Sequence, residues 1–337
     1  MNDLRLVAAT SATDALRLFT AHGATPAYLA GGTTVVDLMK LGVMAPDLLI
    51  DLQELRSHHA GVRAEAGEVV VGALTTMAEA AAHPLLAARA PAVVDALRLA
   101  ASPQIRNAAT IGGNLLQRTR CPWFRDGRSP CNKRRPGTGC SAEGGDTRSL
   151  AVLGTSGACI ANYPGDLAVA LTALGAHVDT LSGDGHGRRI PVGDLHRLPQ
   201  DRPDLETVLE PGELLTAVRV PDDAWDASLY VKVRDRASYA FALTSAAVAL
   251  RRDGDLVGDV RIAVGGAAAV PWRCRTAEDL LRGAVLTPER AAAAGAECYR
   301  SSRADSARAF KVDLGARTVL RALLDAWSRA QAARGGA

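Results

Sequence analysis

Aromatic residues are scarce in this chain, 4% of 337 residues, and lysine occurs only at Lys40, Lys133, Lys232 and Lys311. The formal net charge is +3. With so small a surplus and no basic stripe interleaved with aromatics, no nucleic-acid partner is expected. No apolar run approaches the roughly 20 residues of a membrane span, so no membrane insertion is expected. The opening MNDLRLVAATSATDALRLF lacks a basic segment followed by an apolar core, so no signal peptide is expected. By its own sequence the chain is expected in the cytoplasm, where disulfides are rare. Some chemistries are missing too. Gly154-Thr155-Ser156-Gly157 is not a G-x-S-x-G elbow. The seven histidines show no metal-ligand spacing, and no glycine turn is followed by Gly-Lys-Ser/Thr.

Hydrophobic residues make up 48% of the chain, enough for a substantial core, and the length suggests two domains. The boundary is expected near residue 222, where DDAWDAS reads as a linker. The pattern is α+β. A helix is expected from Ser11 to His22, capped by Ser11 or Thr13 and stopped by Gly23. A strand over Ala27–Ala30, a Gly-Gly-Thr-Thr turn, a helix over Val35–Lys40 and a strand in DLLIDLQEL then make a β–turn–α–β unit within the first ~55 residues. A strand over Glu68–Val71, a helix capped near Thr75 or Thr76, and a helix around Pro91–Ala101 follow. Asp166 reads as the N-cap of a later helix. Beyond 222, three apolar strands precede mainly helix.

Two glycine pairs could cradle an anion. Ala30-Gly31-Gly32-Thr33-Thr34 follows a strand and precedes a helix, so backbone N–H groups and hydroxyls converge on one spot. Thr110-Ile111-Gly112-Gly113-Asn114 repeats the idea with a side-chain amide. Either alone could be an ordinary turn; two in one domain suggest a dinucleotide. Asp166 could cap its helix or bind a sugar hydroxyl. Lys232 alternates with Val231 and Val233, so it faces either solvent or a flavin ring. Cys121, Cys131, Cys140 and Cys159 form C-x9-C-x8-C-x18-C within an irregular segment, about 118–160. There are no paired C-x2–4-C knuckles and no histidine between them, so an iron–sulfur cluster fits as well as zinc. Arg118, Arg120, Arg125, Arg128, Lys133, Arg134 and Arg135 would offset an anionic cluster. Cys274 and Cys298 read as buried small apolar residues.

The ordered set LAGGTTVVDLMK, VGALTTMAE, TIGGNL, PGDLAVAL and YVKVRDRASYAFALTSAAVAL resembles the FAD-binding (medium) subunits of molybdenum-cofactor hydroxylases, which include xanthine dehydrogenases, aldehyde oxidoreductases and carbon monoxide dehydrogenases. The resemblance runs from about Thr25 to past Pro271. Most of that family pass directly from TIGGNL to PGDL. The inserted RCPWFRD…CNKRRPGTGC…LGTSGAC run is similar to the 4Fe-4S insertion in bacterial periplasmic aldehyde oxidoreductases. The resemblance implies a PCMH-type FAD-binding domain over 1–221, in parts of about 1–56 and 57–221, and a smaller domain with a three-stranded sheet over 228–331. It implies FAD contacts from Leu29, Ala30, Gly31, Gly32, Thr33, Thr34, Val35, Thr110, Gly113, Asn114, Asp166, Leu215 and Lys232. It also implies 4Fe-4S ligation by Cys121, Cys131, Cys140 and Cys159, and no catalytic residue on this chain. Partners would be a large molybdenum-cofactor subunit, a small subunit with two 2Fe-2S centres and an external electron acceptor. Export with a signal-bearing partner would place the complex in the periplasm. Two other functions stay open on the residues alone: a standalone flavin oxidoreductase and a zinc-stabilised binding module.

Overall fold

The computed structural model describes residues 4–21 and 25–335; the helix end expected at His22 and Gly23 lies outside the described residues. Three strands open the chain, β1 (Arg5–Ala8), β2 (Pro26–Leu29) and β3 (Leu48–Asp51), all parallel in the order β1-β3-β2. Parallel neighbours need crossover connections. The helices Ala12–Ala21 and Val35–Lys40 supply them. Ser11 Oγ accepts from the Asp14 N–H at 3.1 Å, so Ser11 rather than Thr13 caps the first helix. β1 is exposed along its length and shows no alternation, which is why the sequence pattern did not announce it.

A five-stranded antiparallel sheet follows. It consists of β4 (Val62–Glu65), β5 (Glu68–Gly72), β6 (His177–Leu181), β7 (Gly187–Pro191) and β8 (Leu214–Pro221), in the order β4-β5-β8-β6-β7. The helices Met77–Ala82, Pro91–Leu99 and Asp166–Ala173 share its core. Thr76 and Glu79 form a capping box at the first of these. All eight residues of Asp166–Ala173 are buried, as a helix apolar on every side requires.

The last sheet runs β12-β11-β10-β9, from β9 (Ala227–Val233), β10 (Thr244–Asp253), β11 (Leu256–Gly265) and the two-residue edge strand β12 (Trp272–Arg273). Three long strands match the expected sheet, and β12 adds a short fourth. Along β10, Ala246, Val248 and Leu250 join the core containing the helix Phe310–Gly335, while Ala247 and Ala249 join the core containing Asp166–Ala173. Period-two alternation thus serves two hydrophobic cores from one strand. Cys274 and Cys298 lie in the first of these, buried as expected.

His196 fastens the loop between β7 and β8 to the helix Ile111–Leu115. Its Nε2 lies 2.9 Å from the Leu115 carbonyl oxygen, and its ring sits 4.2 Å from that of Tyr163. Burial pulls its pKa down to about 4 from 6.5. The unfolded chain protonates this imidazole below about pH 6.5, whereas the folded chain resists until about pH 4. The stabilisation is therefore complete above the upper value and lost as pH falls toward the lower, by up to about 3 kcal/mol. The urea midpoint should drop between about pH 7 and about pH 4.5, and His196→Gln should shrink that drop. An equal drop in the variant would contradict a buried neutral His196.

Candidate cofactor cleft and cysteine pocket

The two glycine turns touch. A β-carbon on Gly31 would lie 1.9 Å from the carbonyl oxygen of Ala108, the last residue of the helix Pro103–Ala108, so only glycine lets the first turn rest on the approach to the second. Gly32 has φ +69°, where glycine is unstrained. The second segment is a short helix, Ile111–Leu115, rather than a turn. Thr110 caps it, its Oγ1 accepting from the Gly113 N–H at 3.2 Å. Gly112 packs on Ala73, where a β-carbon would come within 3.2 Å of the Ala73 β-carbon and carbonyl oxygen.

These contacts shape two adjoining cavities. One is lined by Ala30, Gly31, Gly32, Thr33, Thr34, Val35, Thr110, Gly113 and Leu215, together with Tyr28 and Leu214. The other is lined by Thr33, Thr34, Gly113, Asn114 and Asp166, together with Arg120, Tyr239 and Phe241. Thr33, Thr34 and Gly113 belong to both, so the cavities form one elongated cleft with the glycine–threonine segments at its middle. The Thr34 side chain makes no cap hydrogen bond. Asn114 donates from Nδ2 toward Met77 Sδ at 3.3 Å, and its Oδ1 is buried without a partner among the described residues. Such an orphan acceptor costs about 1–3 kcal/mol unless something donates to it. An elongated cleft with an anion cradle at its waist and an unmet acceptor beyond suits a dinucleotide.

Asp166 is not the N-cap; Gly165 is, and Asp166 is the first helical residue. Its carboxylate accepts from Tyr230 Oη at 2.5 Å and from Lys232 Nζ at 2.7 Å. Burial and the neighbouring carboxylate push the Tyr230 hydroxyl well above its usual pKa. Lys232 also donates to the Leu99 carbonyl oxygen at 3.1 Å, and its side chain is 1% exposed. Its charge is thus met by Asp166 on the cleft wall rather than by solvent. Leu29 lies next to the wall: a β-carbon on Gly32 would come within 3.5 Å of its Cδ1. The remaining expected residues line the cleft. Those missed are Tyr28, on the strand just before the first glycine segment, and Tyr239 and Phe241, which only long-range folding brings there. Arg120 and Arg125 were visible as loop cations, but their destination was not. Tyr239 has φ +51° and its carbonyl accepts from Arg236 Nε at 3.1 Å; a non-glycine residue held this way is strained, as often at ligand clamps.

The cysteine segment has its own small core. Cys121, Cys131, Cys159 and Phe124 pack with Leu38 of the helix Val35–Lys40. All four cysteines line one small pocket with Trp123, Phe124 and Lys133. Cys131 and Cys140 face one another across an antiparallel bridge, and a second bridge, Ser156 to Cys159, turns the last thiol inward. Burial, reinforced by the other thiols, pushes Cys121 up to about 11. Among the described residues no group of three or more His, Cys, Asp or Glu is set to hold a metal ion. The seven cations do not simply surround the thiols. Arg120 and Arg125 both bind Asp37, Arg118 binds Glu206, and Arg134 donates to the carbonyls of Trp123 and Phe124. Lys133 is the buried cation beside the pocket, donating to the Pro203 carbonyl oxygen at 2.9 Å.

Among the described residues no helix is long and apolar enough to cross a membrane. Residues 2–223 match the family described as FAD binding domain in molybdopterin dehydrogenase. Residues 229–326 match the CO dehydrogenase flavoprotein C-terminal domain. The chain is 43% identical over 305 residues to the aldehyde oxidoreductase FAD-binding subunit PaoB of Escherichia coli (strain K12), covering 90% of this chain and 92% of that protein. It is 28% identical over 321 residues to the carbon monoxide dehydrogenase medium chain of Hydrogenophaga pseudoflava, covering 94% of each. The solved carbon monoxide dehydrogenase of Hydrogenophaga pseudoflava lacking the Mo-pyranopterin moiety matches with a TM-score of 0.76 at 26% identity, over 97% of this chain and 98% of that one. The chain therefore belongs to the FAD-binding subunits of the molybdopterin dehydrogenases, a family of oxidoreductase components, as the order of its motifs implied.

Proposed function

We propose that this chain is the FAD- and 4Fe-4S-carrying electron-transfer subunit of a molybdenum-containing aldehyde oxidoreductase. It would work with a large molybdenum-cofactor subunit and a small subunit holding two 2Fe-2S centres, and pass electrons to an external acceptor. The observation that carries this is the packing of a four-thiol pocket directly against the helix that leaves the first glycine turn, through Leu38 and Asp37. A cleft shaped for FAD and a cysteine pocket thus share one supporting element. The aldehyde substrate rests on the likeness to PaoB.

In this reading the backbone of Ala30–Thr34 holds the diphosphate, with Gly113, Thr33, Thr34 and Thr110 beside it and Val35 and Leu215 lining the nucleotide end. Asn114 Oδ1 gains the donor it lacks. Asp166 accepts from a ribityl hydroxyl, its carboxylate aimed by Tyr230 and Lys232. Cys121, Cys131, Cys140 and Cys159 ligate the cluster, and Lys133 offsets its negative charge. Four thiols line one pocket with no histidine or carboxylate on its walls, a donor set that suits an iron–sulfur cluster. When bound, FAD and the cluster supply the electron-carrying chemistry, while the protein supplies position and electrostatics. Export with a partner bearing the signal would give a periplasmic complex.

Gly31→Ala should weaken FAD binding by about tenfold or more, because the new methyl group forces the two turns apart. Flavin per purified chain, with the fold checked by circular dichroism, measures this; full flavin content would contradict the cleft. Cys131→Ser should remove about four irons per complex and spare the 2Fe-2S signals of the small subunit. Iron analysis with low-temperature electron paramagnetic resonance decides it, and unchanged iron with retained stoichiometric zinc would refute the cluster.

A further inference from the structure

The cavity lined by Asn114 and Asp166 carries an uncompensated cation. Lys232 and Asp166 cancel one another in a buried pair, with side chains 1% and 5% exposed. The other charged groups on the wall are Asp37, Arg120 and Arg125, one carboxylate against two guanidiniums. Arg120 donates to Asp37 Oδ2 at 3.0 Å and Arg125 to Asp37 Oδ1 at 3.1 Å. Arg120 also lies over the Phe241 ring, 4.9 Å from its centroid, and its buried Nε has no hydrogen-bond partner among the described residues. A buried N–H on a charged group is costly to leave unmet. The wall thus holds surplus positive charge and a spare donor that none of the described residues uses.

We propose that Arg120 is a cation that faces the redox-active ring of FAD and sets its potential. This rests on the reading that FAD fills the cleft. The ring would sit at this end, where Tyr239 and Phe241 line the wall and Arg120, the residue before Cys121, links that wall to the cysteine pocket. The opposite cavity is walled by Tyr28, Leu214 and Leu215, on the far side of the glycine turns. Tyr239 and Phe241, 58% and 48% exposed, frame the ring end with flat aromatic surface. Reduction by two electrons and one proton adds one negative charge to the ring. Arg120 stabilises that charge and so favours the reduced form. In the complex the electrons come from the 2Fe-2S partner; in a titration they come from dithionite. Asp37 opposes the effect by neutralising part of the guanidinium charge.

The two residues therefore have opposite signs, which a merely structural role would not produce. In the purified complex, anaerobic dithionite titration with redox dyes gives the flavin potential. Arg120→Met should lower it, so that the ratio of reduced to oxidised flavin at a fixed potential falls by about tenfold, the effect of one nearby charge. Asp37→Asn should raise it, and Arg120→Lys should return it toward the wild-type value. FAD-replete Arg120→Met and Asp37→Asn complexes with unshifted potentials, or shifts of the same sign, would overturn the proposal. A wild-type complex without FAD would instead refute the cleft on which it rests.

Discussion

The contact of Gly31 with the Ala108 carbonyl fixes the geometry on which the site depends. It presses the first crossover unit against the segment leading into Ile111–Leu115 with no side chain between them. Two backbone segments that are 78 residues apart in the chain, from residue 32 to residue 110, then flank one waist. The orphaned Asn114 Oδ1 and the strained Tyr239 lie on the same side of that waist. Local cost concentrated around a cleft is what a ligand-binding site is expected to show.

The scarcity of aromatics has a structural counterpart. Where larger side chains would hold elements apart, alanine lets them close. Ala247 and Ala249 of β10 and Ala168, Ala170 and Ala173 of the buried helix fill the layer between sheet and helix. That close layer brings Tyr230 and Lys232 within reach of Asp166. A strand lysine is ordinarily a surface residue; here the sheet is covered on both faces, so its charge is met by a carboxylate instead. The pair's burial makes it a specifier of geometry more than a source of stability.

The fold class and the cleft were largely legible in the sequence. Gly31, Gly32, Thr33, Thr34, Thr110 and Gly113 carry local signals, because tight backbone approach leaves glycine and small hydroxyl residues at fixed places in the chain. What lay hidden depends on which faces meet. Lys232 alternated with two valines, but alternation alone does not say what covers a strand's second face. Asp166 had the composition of an N-cap, but Gly165 took that place and the carboxylate turned to Tyr230. Arg120 and Arg125 stood among seven cations near cysteines, and only the partner Asp37, more than 80 residues earlier, showed where they go. β1 and β12 are short edge strands without a pattern to find.

The cysteine segment runs between the helix Ile111–Leu115 and the helix Asp166–Ala173. It is not a slack loop: it has a small core and two backbone bridges, and its arginines are tied to Asp37 and to nearby carbonyls. The central claim is that this segment clamps a cluster beside the flavin. An electron-density map of the anaerobically prepared complex tests that most directly. The account predicts FAD density running through both cavities, with its diphosphate between Thr33, Thr34 and Gly113, and four-iron density bonded to Cys121, Cys131, Cys140 and Cys159. FAD lying elsewhere, or four sulfurs with no cluster density among them, would contradict it.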